Sequence, residues 1–313
     1  EFLDQLELLE GAGAAFERDA MLRGDVTPVF FGSAVTNFGV ELFLDAFVAL
    51  GPPPGPRFDA ERHVVEPTDE RFSGFVFKIQ ANMDPRHRDR VAFLRVCSGT
   101  FERDMTVRNA RSGKDVRLTR AMKLFASERE SVEVAYAGDV VGLANPGVFA
   151  IGDTLAQGDG VRFEPIPAFE PEHFALVRSI DTASYKSFQK GIAQLREEGA
   201  IQVFYPYGQT RSEPVLAAVG ELQFEVVKYR LESEYNVKTV FQSLPYTTAR
   251  RVRGEQPASG ATLGSSARLV EDWDGEPVAL FESGWSVNLA EQWNPGLKFD
   301  PFGAKDLERE VPA

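Results

Sequence analysis

The chain has 313 residues, 43% hydrophobic and 26% charged, which suits about two folded domains and excludes wholesale disorder. No apolar run reaches the ~18–20 residues that cross a bilayer as a helix, so a membrane span is excluded and no membrane partner is expected. A single cysteine, Cys97, cannot close an intramolecular disulfide, and His63, His87 and His173 lack zinc-ligand spacing; a reducing, cytoplasmic setting without a metal site is expected. The net charge of −13 hides an asymmetry: residues 86–129 hold twelve Lys/Arg against five Asp/Glu, a basic segment within an acidic chain.

The chain opens at Glu1 with Phe2, Leu3, Leu6 and Leu9 at helical spacing and no signal peptide, and a fragment of a longer protein is expected. Residues 27–32, Thr-Pro-Val-Phe-Phe-Gly, read as a strand buried on both faces, with its partner strands expected upstream. Val40, Phe43, Leu44, Phe47 and Leu50 then mark a helix over residues 39–50. Gly51-Pro-Pro-Pro-Gly-Pro56 is the clearest break in the chain: consecutive prolines fix φ and remove donors, which makes a stiff linker.

From about residue 71 to 163 the pattern changes to short strands. Phe75, Phe77 and Ile79 alternate with Val76 and Lys78; residues 91–97 form a second run; Ser112-Gly113 marks a hairpin between residues 105–108 and 116–118. Five to seven such strands without a helix indicate a small β-barrel. After about residue 171 the order is β-α-β-β-α-β: strands at 174–180, 200–205, 214–219 and 237–242, with helices carrying Phe188, Ile192 and Leu195, then Leu222, Val226 and Tyr229. That order is ferredoxin-like. A further strand at 278–281 and a helix at 285–293 close the chain, after a Gly/Ser/Ala-rich stretch near residues 258–267.

Chemistry-bearing patterns are few. The basic segment has two parts: Arg86, His87, Arg88 and Arg90 on a loop between two strands, and Arg111, Lys114, Arg117, Arg120 and Lys123 recurring every third residue. Cations of this kind position a polyanion by phosphate contact, and little aromatic decoration favours structured RNA over single strands; a solvated barrel face is the equal alternative. No phosphate-cradling G-x-x-x-x-G-K-[ST] occurs. The D-x-x-G matches at 139–142 and 272–275 read as turns. Glu197/Glu198 and Glu232/Glu234 read as solvated charges on helix ends and faces, and Cys97 has no evident histidine partner, so no catalytic residue is expected.

Residues 72–90, Phe-Ser-Gly-Phe-Val-Phe-Lys-Ile-Gln-Ala-Asn-Met-Asp-Pro-Arg-His-Arg-Asp-Arg, closely resemble the start of the second domain of the bacterial peptide chain release factor 3 family. These are the translational GTPases that recycle codon-reading release factors. Residues 28–40, 197–204, 218–224 and 233–237 resemble the same family, and 137–143 and 151–155 resemble translational GTPases generally. The resemblance implies a multi-domain fold of α/β and all-β parts. Residues 1–56 would be the C-terminal remnant of a P-loop GTPase domain with its linker, 66–165 an elongation-factor-type β-barrel, and 168–313 a C-terminal α+β, ferredoxin-like domain. Ser33 and Ala34 would correspond to the last guanine-contacting motif. GTP/GDP and Mg²⁺ would serve the full-length family, with none expected for this chain alone, because the P-loop and magnesium ligands would precede residue 1. The implied partners are the ribosome and, functionally, the class I release factors. Another translational GTPase of the elongation-factor-G or ribosomal-protection type, or a stand-alone RNA-binding module, remains the alternative.

Overall fold

The computed structural model describes residues 2–12, 16–81, 90–125, 128–164, 166, 169–211, 213–254 and 258–301. Its contacts divide the chain into Glu1–Gly55 and Pro56–Ala313. The division falls within the proline-rich segment, where no residue carries helix or strand.

The first unit holds α1 (Phe2–Ala12), α2 (Arg18–Arg23) and α3 (Val40–Leu50). Gly24 ends α2 at φ +83°, a left-handed geometry that returns its N–H to the Met21 carbonyl and that of Asp25 to Ala20. Gly39 precedes α3 at φ +71°, and a Cβ there would stand 2.6 Å from the Phe31 carbonyl oxygen, so only glycine fits. The strand expected at 27–32 does not form. A strand exists by pairing, and among the described residues of this unit the sole bridge joins Ser33 to Phe38. Val29 and Phe31 are accordingly 72% and 86% exposed rather than buried.

The second unit begins with the paired short strands β1 (Arg57–Phe58) and β2 (Val64–Val65). Their turn is organised by the buried Asp59, which accepts from the Glu61 and His63 amides at 2.9 and 2.8 Å. Val65 packs with Phe75, Cys97 and Phe163 of the adjoining barrel.

The barrel is built from β3 (Ser73–Ala81), β4 (Arg90–Ser98), β5 (Thr100–Glu102), β6 (Thr106–Asn109), β7 (Lys114–Arg117), β8 (Ala121–Phe125), β9 (Glu128–Ser131), β10 (Val134–Tyr136), β11 (Val140–Ala144) and β12 (Thr154–Ala156). Eight of them form one antiparallel sheet in the order β7-β6-β12-β3-β4-β11-β8-β9, and β5 pairs with β10. This exceeds the five to seven strands expected. The simple alternation expected in β3 is broken by a bulge: Val76 pairs with Leu94 and Lys78 with Phe93, leaving Phe77 as the extra residue. Val76 and Ile79 therefore share the inner core with Phe72, Leu94, Val96, Phe101, Leu118, Leu143 and Leu155, while Phe77 turns outward.

The C-terminal part opens with β13 (His173–Ser179), α4 (Tyr185–Glu197), β14 (Gln202–Pro206), β15 (Val215–Ala218), α5 (Leu222–Tyr235) and β16 (Thr239–Leu244). The sheet order β16-β13-β15-β14 is antiparallel and is that of a ferredoxin-like unit. Its strands alternate between two cores. Ala175, Val177, Val203 and Leu216 meet α4 and α5, whereas Phe174, Phe204, Val215 and Ala217 meet the opposite layer. That layer is β17 (Thr248–Gly254), β18 (Ala267–Glu271), β19 (Pro277–Phe281) and β20 (Leu297–Pro301), with α6 (Gly284–Trp293) covering its other side. It joins the ferredoxin-like sheet where β14 pairs with β18. The Gly/Ser/Ala-rich stretch carries only a short 3₁₀ turn at Ala258–Gly260, pinned by Asn294, which accepts from the Thr262 amide and donates to its carbonyl.

Candidate nucleic-acid interface

The cations of the basic segment do not all do the same thing. Arg86, His87 and Arg88 lie outside the described residues. Arg90 begins β4, and its guanidinium is bonded to Glu197 at the end of α4, with Gly147 of the β11–β12 connection close beside it. Arg111 turns onto the buried Asp153, its Nε and Nη2 reaching the two carboxylate oxygens at 2.5 and 3.0 Å. Asp153 also accepts from Asn109 Nδ2 at 2.8 Å and from the Ala150 amide at 2.9 Å, so this arginine ties the β6–β7 hairpin to the start of β12.

Lys114, Arg117, Arg120 and Lys123 are exposed. Arg117 Nε donates to the Asp104 carbonyl at 3.1 Å, and Lys123 stands opposite Glu130 in the β8–β9 ladder. A spacing of three on a period-two strand alternates faces, so Lys114 shares the side of Val116 at the hairpin tip while Arg117 faces away. Arg120 takes the corner between β7 and β8 with φ +53°. Residues 118–120 connect β7, at one end of the eight-strand sheet, to β8 near the other end. The exposed cations thus lie on β7, on β8 and on the seam that connects them, not on one face of a single strand.

Of the carboxylates read from sequence as solvated charges, Glu232 is exposed, Glu197 is bonded to Arg90 while part-exposed, and Glu198 is not solvated. Glu198 is 7% exposed; its Oε1 accepts from the Ala81 amide at 3.0 Å, and Arg230 donates to both its oxygens at 2.7 and 3.2 Å. Burial alone would lower the pKa of the Arg230 guanidinium, but its bonds to Glu234 and Glu198 outweigh this and hold it above the ordinary range. No charge pattern in the sequence could reveal the barrel partners of this pair, because Ala81 is 117 positions from Glu198 and Arg90 is 107 from Glu197.

Both D-x-x-G matches are turns. The Asp139 carboxylate accepts from the Tyr136 amide at 2.9 Å just before β11. Asp272 caps the β18–β19 hairpin through the Asp274 and Glu276 amides at 2.9 Å each. Burial pushes the Cys97 thiol up to about 11, which makes it a poor nucleophile. Among the described residues no group of three or more His, Cys, Asp or Glu is placed to hold a metal ion. Ser33 opens a tight loop, its N–H committed to the Phe38 carbonyl at 2.9 Å, and Ala34 beside it is exposed. A cavity of about 560 Å³ lies where the barrel meets the C-terminal part, lined by Phe77, Ile151, Glu198, Gln202 and Trp273, with the Arg196 guanidinium 4.5 Å over the Trp273 ring.

Known proteins match both parts of the second unit. Residues 71–158 match the family model for elongation factor G domain 2, and residues 163–291 match that for the class II release factor RF3 C-terminal domain. The chain is 52% identical over 301 residues, 96% of its length, to the peptide chain release factor 3 of Gloeobacter violaceus. It is 54% identical over 289 residues, 92% of its length, to that of a Synechocystis species. It covers 56% and 52% of those two proteins, about half the length of the relatives it matches. A crystal structure from Thermus thermophilus shares the fold at a TM-score of 0.55 and 22% identity, covering 80% of this chain and 38% of that one.

Proposed function

Because this chain belongs to the peptide chain release factor 3 family, we propose that it is the ribosome-binding part of a cytoplasmic translation termination factor. The complete factor promotes dissociation of class I release factors after peptide release, by binding one ribosomal state more tightly than another. In this reading residues 1–56 are the end of a GTPase domain with its linker, 66–165 the barrel and 168–313 the release-factor-specific domain. The observation that carries it is identity of about half across nearly the whole chain, with the RF3 C-terminal match directly following the elongation-factor-type barrel. That C-terminal match favours a release factor over a factor of the elongation-factor-G or ribosomal-protection type. Identity running into the first unit, over 96% of the chain, speaks against a stand-alone RNA-binding module.

The full-length family uses GTP with Mg²⁺, but the described residues do not compose that site. The Ser33–Ala34 loop offers one base-side edge, the sequence has no phosphate-cradling loop, and no acidic cluster among the described residues is placed for the cation. No hydrolytic step is assigned to this chain. Its role is contact: exposed Lys114, Arg117, Arg120 and Lys123, together with Arg86, His87 and Arg88, which lie outside the described residues, positioned on ribosomal RNA backbone.

Sedimentation with 70S ribosomes at low salt tests this. Saturable binding of one chain per ribosome, displaced by an intact release factor 3, is expected. Absence of saturable binding, or binding indifferent to that competitor, refutes it.

A further inference from the structure

β3 ends at Ala81 and β4 begins at Arg90. Both of these residues are held by the same feature, the last turn of α4. The Ala81 amide donates to Glu198 Oε1 at 3.0 Å, and the Arg90 guanidinium is bonded to Glu197. The next residue, Gly199, takes φ +72° and closes α4 with its N–H on the Arg196 carbonyl, and its Cα side faces Ile151 of the barrel closely enough that a Cβ would lie 3.4 Å from Cδ1. Three successive residues of the C-terminal part thus touch three separate segments of the barrel.

Local rules argue against carboxylates at this place. The C-terminal end of a helix carries partial negative charge, and two adjacent glutamates there are repelled by it and by each other. They are tolerated because each is answered from elsewhere: Glu197 by Arg90 of the barrel, Glu198 by Ala81 of the barrel and by Arg230 of α5, which also binds Glu234. Glu197 is met across the joint by Arg90, and Glu198 both across it by Ala81 and within its own part by Arg230, so a pair that offends its own helix is tied to the joint at two points.

We propose that Glu197 and Glu198 are positioning residues: they latch the base of the β3–β4 connection to α4 and so fix the barrel against the C-terminal part in the arrangement that meets the ribosome. The proposal rests on the ribosome-binding reading above only in its final clause. The latch itself is a property of the free protein. Its two carboxylates act through backbone and guanidinium of the barrel and make no contact with RNA.

The test uses two spin labels, at Ser131→Cys in β9 and Lys228→Cys in α5, both exposed positions; the native Cys97 is buried and its thiol is raised to about 11, so it stays unlabelled. In the parent protein the inter-label distance distribution is narrow. Glu197→Ala and Arg90→Ala each broaden it and weaken ribosome affinity about 5- to 10-fold, with circular dichroism unchanged. The double variant is no worse than either single, and the swap Arg90→Glu with Glu197→Arg restores both readouts. Glu198→Gln, which keeps an oxygen for the Ala81 amide and loses only the charge that Arg230 of the same part meets, leaves the distribution narrow; a broadening equal to that of Glu197→Ala would overturn the latch. An unchanged distribution in Glu197→Ala and Arg90→Ala, or a swap no better than these two, overturns it as well. If the distances respond as stated while the parent protein does not bind ribosomes, the latch stands and the ribosome-binding reading falls.

Discussion

Replacing Lys114, Arg117, Arg120 and Lys123 together by glutamine removes the exposed cations along the closing seam of the barrel. The structure sets the size of the effect by deciding which charges to count. Arg90 and Arg111 are committed to Glu197 and Asp153, and Arg103 and Arg108 to Glu133 and Asp115, so none of these is available at no cost to meet phosphate. Along the seam four exposed cations remain, with Arg117 only loosely paired to Asp104 at 3.6 Å, and each phosphate contact steepens the dependence of log affinity on log salt by roughly 0.7–0.9. The parent protein should therefore lose about 100-fold in ribosome affinity between roughly 50 and 200 mM salt through these four alone. The quadruple variant should bind more weakly at low salt, with a log–log slope shallower by about 3. All four positions are exposed, and such substitutions usually change stability by under about 0.5 kcal/mol each, so circular dichroism should show the fold intact. Binding is measured by fluorescence titration against 70S ribosomes over a salt series. Equal slopes for parent and variant would refute phosphate contact at this seam.

Asp153 gives a stability prediction: it is 1% exposed and accepts four hydrogen bonds from Asn109, Arg111 and Ala150. Asp153→Ala should destabilise the second unit by about 3 kcal/mol in denaturant titration, and a loss below about 1 kcal/mol would contradict the role given to it. Asp59 gives a pH prediction. Burial alone would raise its pKa, but hydrogen bonds from His63 and Glu61 outweigh that and hold it below the ordinary value. The stability that the parent gains over Asp59→Asn is then present above the unfolded-state value of about 4 and fades as pH falls through the lower folded value. Melting curves of both proteins from acid to neutral pH check this; an advantage that persists or grows at the acid end contradicts it. Cys97, raised to about 11 by burial, should react slowly with a thiol reagent at mildly alkaline pH in the native protein and rapidly after denaturation. Equal rates would place it at the surface.

The sequence made the ferredoxin-like unit legible because its strands and helices carry their own pattern. Residues 174–177 are apolar throughout, and the structure buries both faces of that strand between two layers. Strands without such a pattern escaped. β9 is Glu-Arg-Glu-Ser, and β17 carries Arg250, Arg251 and Arg253, whose charges are answered by Glu170, Asp272 and Asp300 from distant segments. The segment at 27–32 failed in the opposite sense, since apolar composition signals burial but supplies no strand to pair with. Charge type at the candidate site was equally visible, but its use was not. Arg90 and Arg111 look like Lys114 in a sequence, and only the fold shows that the first two hold carboxylates while the third faces solvent. Glu197 and Glu198 were misread for the same reason: helix ends ordinarily solvate their acids, and the barrel residues that satisfy these two are more than a hundred positions away.

A cryo-electron microscopy reconstruction of this chain on a termination-state 70S ribosome tests the central claim most directly. Density is expected for the barrel with the β7–β8 seam, carrying Lys114, Arg117, Arg120 and Lys123, against ribosomal RNA backbone. A bound chain whose seam faces solvent, or ribosomes that carry no chain at saturating concentration and low salt, would contradict it.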